Sequence, residues 1–333
     1  MQRLTLHVST LAAFFGMVLG ALAPTASAAP ASWPQKPIRL VVAGPAGSSV
    51  DIAARIIADG LRASLRQAVI VDNKPAAGGT IGAAEVVKAA PDGYTLFIGF
   101  NGPLANAPAL YAKLPYHPQR DFAPIILTTE QPNLLAVSTE LSVKNLAELI
   151  ALAKSRPGKF NYASVGNGSV SHLGMELLKR EAGIDITHIP FNGSPAAVQS
   201  IMAGEVQVIF AAPSNLIGPI KTGKLRAIAV TSKKRYPFMP TVPTIAESRI
   251  AGLEKFEAIA WNALLAPKDT PPEIIARLNK ATDKVLANPG IRKRLSSVGM
   301  YAMGGTPETL AAWMEAETNK WGEIIRTVGA QVD

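Results

Sequence analysis

The sequence predicts an α/β protein of two lobes, each a mostly parallel sheet flanked by helices, with a cleft between the lobes. Three observations predict it. Short β-branched runs alternate with stretches of helical periodicity. That order restarts near residue 132. The chain beyond residue 253 is too short for a third unit of the same kind, so it is expected to return to the first. A chain that leaves a lobe and re-enters it crosses twice, and the cleft lies at the crossings. The expected lobes are 29–131 with 253–333, and 132–252.

In the first unit, Ile38–Ala43 (IRLVVA) reads as a strand ended by Gly44-Pro45-Ala46-Gly47. Asp51–Leu65 follows as a helix with Ile52, Ile56, Ile57, Leu61 and Leu65 on one face. Ala68–Val71 is a second strand, and Ile81–Ala90 a helix stopped by Pro91-Asp92-Gly93. Tyr94–Phe100 is a third strand.

The second unit opens with strand Leu134–Ser138 and helix Asn145–Ser155. Strand Asn161–Ser164 leads through Gly166-Asn167-Gly168-Ser169 into helix Val170–Glu181. Ile186–Ile189, Val206–Ala211 and Ala227–Thr231 are strands, with a helix at Pro195–Ala203. The remainder reads as a strand at Phe256–Ala266 and helices at Pro272–Ala287, Ile291–Ser297 and Pro307–Val328.

Residues 1–28 look like an address. Arg3 precedes the apolar run Leu11–Ala23, and Ala26-Ser27-Ala28 supplies small residues for cleavage. The run is too short to span a bilayer comfortably, so a cleaved export signal is favoured over an anchor. The mature chain is expected to be periplasmic and soluble. Cleavage removes one cation and changes the formal charge from +9 to +8. That surplus hints at anionic partners without naming them. Cysteine is absent from the sequence, which excludes disulfides, thiolate nucleophiles and cysteine metal sites.

Two loops share one design. Gly44–Asp51 and Ser164–His172 both carry glycines and hydroxyls from the end of a strand into a helix N-terminus. Open α/β sheets bind ligands there, and free N–H groups with a positive dipole end suit an anion. The alternative is simple capping, because Ser48 with Asp51 fits a capping box and Ser169 is a good N-cap. Asp51 sits awkwardly beside an anion unless its charge serves the cap N–H groups or a ligand amine, and capping is favoured. A third glycine turn, Asn73–Thr80, lacks the spacing of a nucleotide fingerprint.

Catalysis has little support. His172 falls early in its helix, His117 lies in a turn and His188 in a strand, with no metal-ligand spacing. A hydrolase built on Ser169 and His172 would draw nucleophile and base from one helix, only three residues apart. The basic clusters Lys233–Arg235 and Arg292–Arg294 lack the aromatic residues of nucleic-acid binders. Trp261 could line the cleft or pack in the core.

Several segments carry a combined signature: WPQKP at Trp33–Pro37, VDNKPAAGGTIG at Val71–Gly82, PDGYTL at Pro91–Leu96 and DFAP at Asp121–Pro124. SVGNGSVSHL at Ser164–Leu173, LLAP at Leu264–Pro267 and TPE at Thr306–Glu308 with Trp321 complete it. Together they resemble the extracytoplasmic solute receptors of tripartite tricarboxylate transporters, the Bug or TctC family. The resemblance spans the mature chain. It implies a two-lobed Venus-flytrap fold that binds a small carboxylate and delivers it to membrane permease subunits. No cofactor and no nucleic-acid partner are expected, and the chain is expected to be a monomer.

The ligand-binding candidates under this resemblance are Gly47, Ser48, Asp51, Ala77, Asn101, Ser164, Gly166, Gly168, Ser169 and His172. Hydroxyls of Ser48, Ser164 and Ser169 are expected to assist backbone N–H groups. The chain departs from the family pattern at Ser48 and Ala76, where glycine is common, at Asn192, where lysine is frequent, and at Gln199 and Gln207, where acids are frequent. A receptor-fold sensory protein with a signalling partner is the alternative reading.

Overall fold

The computed structural model describes residues 33–331. The expected export signal at 1–28 lies outside them. In chain order the first strands are β1 (Ile38–Val42), β2 (Val69–Asn73), β3 (Thr95–Phe100) and β4 (Phe122–Pro132). Next come β5 (Leu134–Ser138), β6 (Asn161–Ser164), β7 (Thr187–Pro190), β8 (Val208–Ala211) and β9 (Leu225–Val230). The last are β10 (Ile259–Pro267) and β11 (Tyr301–Gly304). They form a six-stranded sheet, β11-β4-β10-β3-β1-β2, and a five-stranded sheet, β7-β6-β8-β5-β9.

Both sheets are mixed, where strand–helix alternation suggested mostly parallel ones. β1 is parallel to β2 and β3, and β6 to β7 and β8. The strands that enter and leave the crossings, β4, β10, β5 and β9, all pair antiparallel. Only the stretches closed by a helix obey the parallel rule.

Eleven α-helices cover the sheets among the described residues. Those of the first stretch are α1 (Ser49–Leu65), α2 (Thr80–Val87), α3 (Ala107–Leu110) and α4 (Pro118–Asp121), with a π-helical turn at Gly102–Asn106. The middle stretch has α5 (Leu146–Ser155), α6 (Val170–Ala182), α7 (Ser194–Met202) and α8 (Pro213–Lys221). The last has α9 (Pro272–Ala287), α10 (Pro289–Ser297) and α11 (Pro307–Val328). Alternate strand residues feed opposite layers, as the two-residue period requires. Leu40 packs with Ile57 and Leu61 of α1 and Leu278 of α9, whereas Val41 packs with Phe97, Leu265 and Leu310 of α11.

The C-terminal segment does more than cover the first sheet. Leu310 and Met314 of α11 belong to that sheet's core, but Trp321 and Ile325 sit among Leu173, Leu178 and Phe210 of the second. A helix of 22 residues is about 33 Å long, enough to serve both layers. Trp261 proves to be core, fully buried, with its indole N–H donated to Glu317.

The crossings meet at one point. A single residue, Asn133, separates β4 from β5. Its N–H donates to Thr231 Oγ1 at 2.8 Å, and its carbonyl accepts the Thr231 N–H at 3.0 Å. Thr231 Oγ1 donates to the Ala258 carbonyl at 2.5 Å.

Candidate functional site

The two glycine–serine loops face one cavity of about 440 Å³, at the small end of ligand pockets. The loop after β1 lines it with Gly44, Pro45, Ser48, Ser49 and Val50, and the loop after β6 with Val165, Gly166, Asn167, Ser169 and Val170. Residues 191–194, leading into α7, close a third side. Among the described residues, no acidic, basic or histidine side chain lines it.

Each loop is held by neighbouring segments. Asn215 Nδ2 donates to the Gly47 carbonyl at 2.9 Å, and Asn106 Nδ2 to the Gly168 carbonyl at 2.6 Å. Gly193 lies against Pro45, and Gly78 against the Asn167 carbonyl.

Each loop leaves backbone donors over. Within the described residues, the N–H groups of Ser49 and Val50 at the start of α1 donate to no protein acceptor. The same holds for Val170 and Ser171 at the start of α6. Helix N-termini of this length also carry a positive dipole end. Two such ends on one cavity, uncharged among the described residues, are an arrangement able to hold an anion by hydrogen bonds alone. Each bond to a charged oxygen is worth about 1.5–3 kcal/mol.

The glycines expected to supply these donors have other work. The Gly47 N–H donates to Asp51 Oδ2 at 2.8 Å, and the Gly168 N–H to His172 Nδ1 at 3.2 Å. The free donors sit two or three residues further on, where the first helical turn lacks an i−4 carbonyl. Gly166 lines the cavity, but its N–H leans on Ser164 Oγ at 3.3 Å.

The hydroxyls are committed as well. Ser48 Oγ donates to the Pro45 carbonyl at 2.6 Å and Ser169 Oγ to the Gly166 carbonyl at 2.7 Å. Ser169 Oγ also accepts the His172 N–H at 3.2 Å, so it is the N-cap of α6. Ser164 is fully buried, 2.6 Å from His188 Nε2, and does not line the cavity. These side chains shape the loops, where free hydroxyl donors were expected.

Asp51 stands outside the cavity wall. Burial pushes its carboxyl up, but bonds from Arg55, the Gly47 N–H and Asn73 outweigh that and hold it below the usual range. It caps the loop one residue further back than the expected capping box. Asn101 lines the cavity, yet its amide is occupied. Oδ1 accepts the Trp261 N–H at 2.9 Å, and Nδ2 donates to Glu317 and to the Ile259 carbonyl. Ala77 lines the wall, and its carbonyl accepts the Tyr111 hydroxyl at 3.0 Å.

His172 and His188 lie behind the second loop. Burial holds the His172 imidazole down at about 4, against a weaker upward pull from Glu176. Burial, then His172 and Lys179, hold His188 at about 3. Both are neutral at ordinary pH, as acceptance of the Gly168 N–H by His172 Nδ1 requires. The Ser169–His172 pair is no nucleophile and base, since the Ser169 proton goes to a carbonyl. Among the described residues, no group of three His, Cys, Asp or Glu side chains could hold a metal.

Of the departures from the family pattern, Ser48, Ala76 and Asn192 line the cavity. Gln199 is exposed on α7, and Gln207 Oε1 accepts the Asn161 N–H at 3.0 Å, away from it. The sequence reading missed Gln131, Asn133 and Asn262, which also line the cavity. The one signal, for Gln131 and Asn133, is a polar pair flanking Pro132, and nothing marks Asn262.

Residues 53–330 match the model of the tripartite tricarboxylate transporter family receptor, TctC. The chain belongs to this family. BugT of Bordetella pertussis is 33% identical over 328 residues, 98% of this chain and 100% of BugT. A Rhodopseudomonas palustris protein solved with adipate is 34% identical with a TM-score of 0.87, covering 90% of this chain and 100% of that one. MatC from the same species, solved with malate, is 34% identical with a TM-score of 0.82, covering 88% and 100%. This TctC receptor thus shares its two-lobed fold with solute-binding proteins. Among its described residues no helix is long and apolar enough to cross a membrane.

Proposed function

We propose that this TctC receptor captures a small carboxylate in the periplasm and delivers it, without a catalytic step, to the permease subunits of a tripartite transporter. One observation carries the reading. Among the described residues, the N-termini of α1 and α6, one from each sheet, present unengaged N–H groups to one cavity with no charged side chain. A carboxylate oxygen pair is the anion that two such ends hold from opposite sides. The adipate and malate held by relatives at 34% identity support the same class.

Holding the anion from both sides is what closes the lobes, because only the closed form contacts it twice. Permease subunits then read the closed form of a monomer. The test is titration calorimetry and thermal shift with mono-, di- and tricarboxylates, acidic amino acids and aromatic acids. At least one acid raises the melting temperature, and its uncharged primary amide does not. If no carboxylate binds, the reading fails.

A further inference from the structure

Gln131, Asn133 and Asn262 put three carboxamides on one face of the ribbon that links the sheets. β4 and β10 run antiparallel with Gln131 opposite Ala260 and Thr129 opposite Asn262. Side chains alternate between faces along a strand, and opposed residues share a face. Thr129, Gln131, Ala260 and Asn262 therefore point the same way, and Asn133 continues that row. The face is the cavity's, since Gln131, Asn133, Ala260 and Asn262 line it. Glu130, Pro132 and Ile259 line a second hollow on the other face, and Gln131 borders both.

Asn262 Nδ2 donates to Thr129 Oγ1 at 2.8 Å. The other two amides have no such neighbour. Gln131 is 1% exposed and Asn133 3%, yet Gln131 Oε1 and Asn133 Nδ2 find no hydrogen-bond partner among the described residues. A buried amide without a partner is a net cost to the folded chain, so such a group calls for an explanation. Neither is a loose surface group. The backbone of Asn133 is clamped on both sides by Thr231 at the crossing, so its side chain is positioned in advance.

The helix ends offer the cavity donors only. The amides offer donors and acceptors, and Phe100, Val165 and Phe191 add apolar wall. We propose that Gln131 and Asn133 are specificity-determining residues that hold a second oxygen function of the ligand, carboxylate or hydroxyl. The site then selects two-headed acids over single-headed acids of the same chain length. This rests on the carboxylate-receptor reading, with the first carboxylate at the helix ends.

The experiment is calorimetry on the wild-type protein, Gln131→Leu and Asn133→Leu. The probes are matched sets: succinate with butyrate, adipate with 6-hydroxyhexanoate and hexanoate, terephthalate with 4-methylbenzoate. In the wild type at least one two-headed acid binds about tenfold or more tightly than its single-headed match. Either leucine variant reduces that preference about tenfold, with the loss falling on the two-headed acid. The unliganded variants melt at or above the wild-type temperature, because no hydrogen bond within the protein is lost. The hydroxy acid tells a hydrogen-bonding preference from a charge preference, and a gain from either head supports the proposal. Equal wild-type affinity within every set overturns it and leaves the receptor reading standing. A preference undiminished in both variants also overturns it. Binding of no acid at all removes the receptor reading, and this inference with it.

Discussion

His172 and His188 stack face to face behind the second-sheet loop, ring centroids 4.1 Å apart and planes within 10° of parallel. Each holds one strut of the loop. His172 Nδ1 accepts the Gly168 N–H, and His188 Nε2 meets Ser164 Oγ, which accepts the Gly166 N–H. Tyr162 stacks on His188 at 4.8 Å, with Glu176 on the Tyr162 hydroxyl and Lys179 on Glu176. An uncharged imidazole pair is thus part of the frame that aims the free N–H groups of α6.

This frame makes stability depend on pH. The folded His172 value of about 4 lies below its ordinary 6.5. Its contribution is therefore complete above pH 6.5, and it is lost progressively as pH falls from 6.5 towards 4. At 1.36 kcal/mol per unit the loss from His172 alone is on the order of 3 kcal/mol. Urea unfolding at pH 7.5 and at pH 4.5 measures it. His172→Gln should flatten the dependence, and identical pH profiles for variant and wild type would refute the role.

Ala76→Gly should stabilise the chain. Ala76 adopts φ 115°, ψ 154°, a region that a Cβ disfavours, just before Ala77 at φ 46°. Such a non-glycine conformation costs about 1–3 kcal/mol. Glycine returns roughly 0.5–1 kcal/mol of that through its freer unfolded chain. The net gain expected is about 1 kcal/mol, visible as a higher urea midpoint at unchanged slope. A lower midpoint would show that the turn is not strained.

Gly193→Ala should weaken ligand binding without touching any donor. A Cβ there would stand 2.4 Å from Pro45 Cγ, across the seam between the segment before α7 and the loop after β1, at φ +93°. The loops must part to admit it, which opens the mouth of the cavity. Small-angle scattering with saturating ligand should show a larger radius of gyration than wild type, and affinity should fall about tenfold or more. Wild-type affinity would mean that the seam does not control closure.

Much of the fold is legible because periodicity writes it. The helices α1, α5, α6, α9 and α11 carry apolar faces at three- and four-residue spacing, and β1 to β3 are short runs rich in β-branched or other apolar residues. β4 is not legible. Pro124 interrupts it and Thr128, Thr129, Glu130 and Gln131 follow, yet antiparallel partners on both sides hold it in place. β11 is four residues ending in glycine, and α8 contains Pro219. In the site, glycine and serine mark where the loops are but not which N–H is free. That depends on what Asp51 and His172 accept. Gln131 and Asn133 gain meaning only from the face they present, which the register with β10 sets.

The last prediction concerns Glu317, which ties the cavity floor to both sheets. Its Oε2 accepts from Asn101 Nδ2 at 3.1 Å and from the indoles of Trp261 and Trp321 at 2.9 Å each. Trp261 lies on a crossing strand, and Trp321 in the core of the second sheet. One carboxylate oxygen therefore joins β3's end, β10 and α11, only 8% exposed. Glu317→Leu leaves two buried indole donors and one amide donor short of an acceptor, at about 1–3 kcal/mol for each group stranded. Asn101 keeps the Ile259 carbonyl, so the total expected is about 3–5 kcal/mol. Glu317→Gln keeps an acceptor oxygen and loses the charge, so it should cost about 1–2 kcal/mol. Urea unfolding ranks the three proteins. A leucine variant within about 1 kcal/mol of wild type would show that water, not Glu317, satisfies these donors.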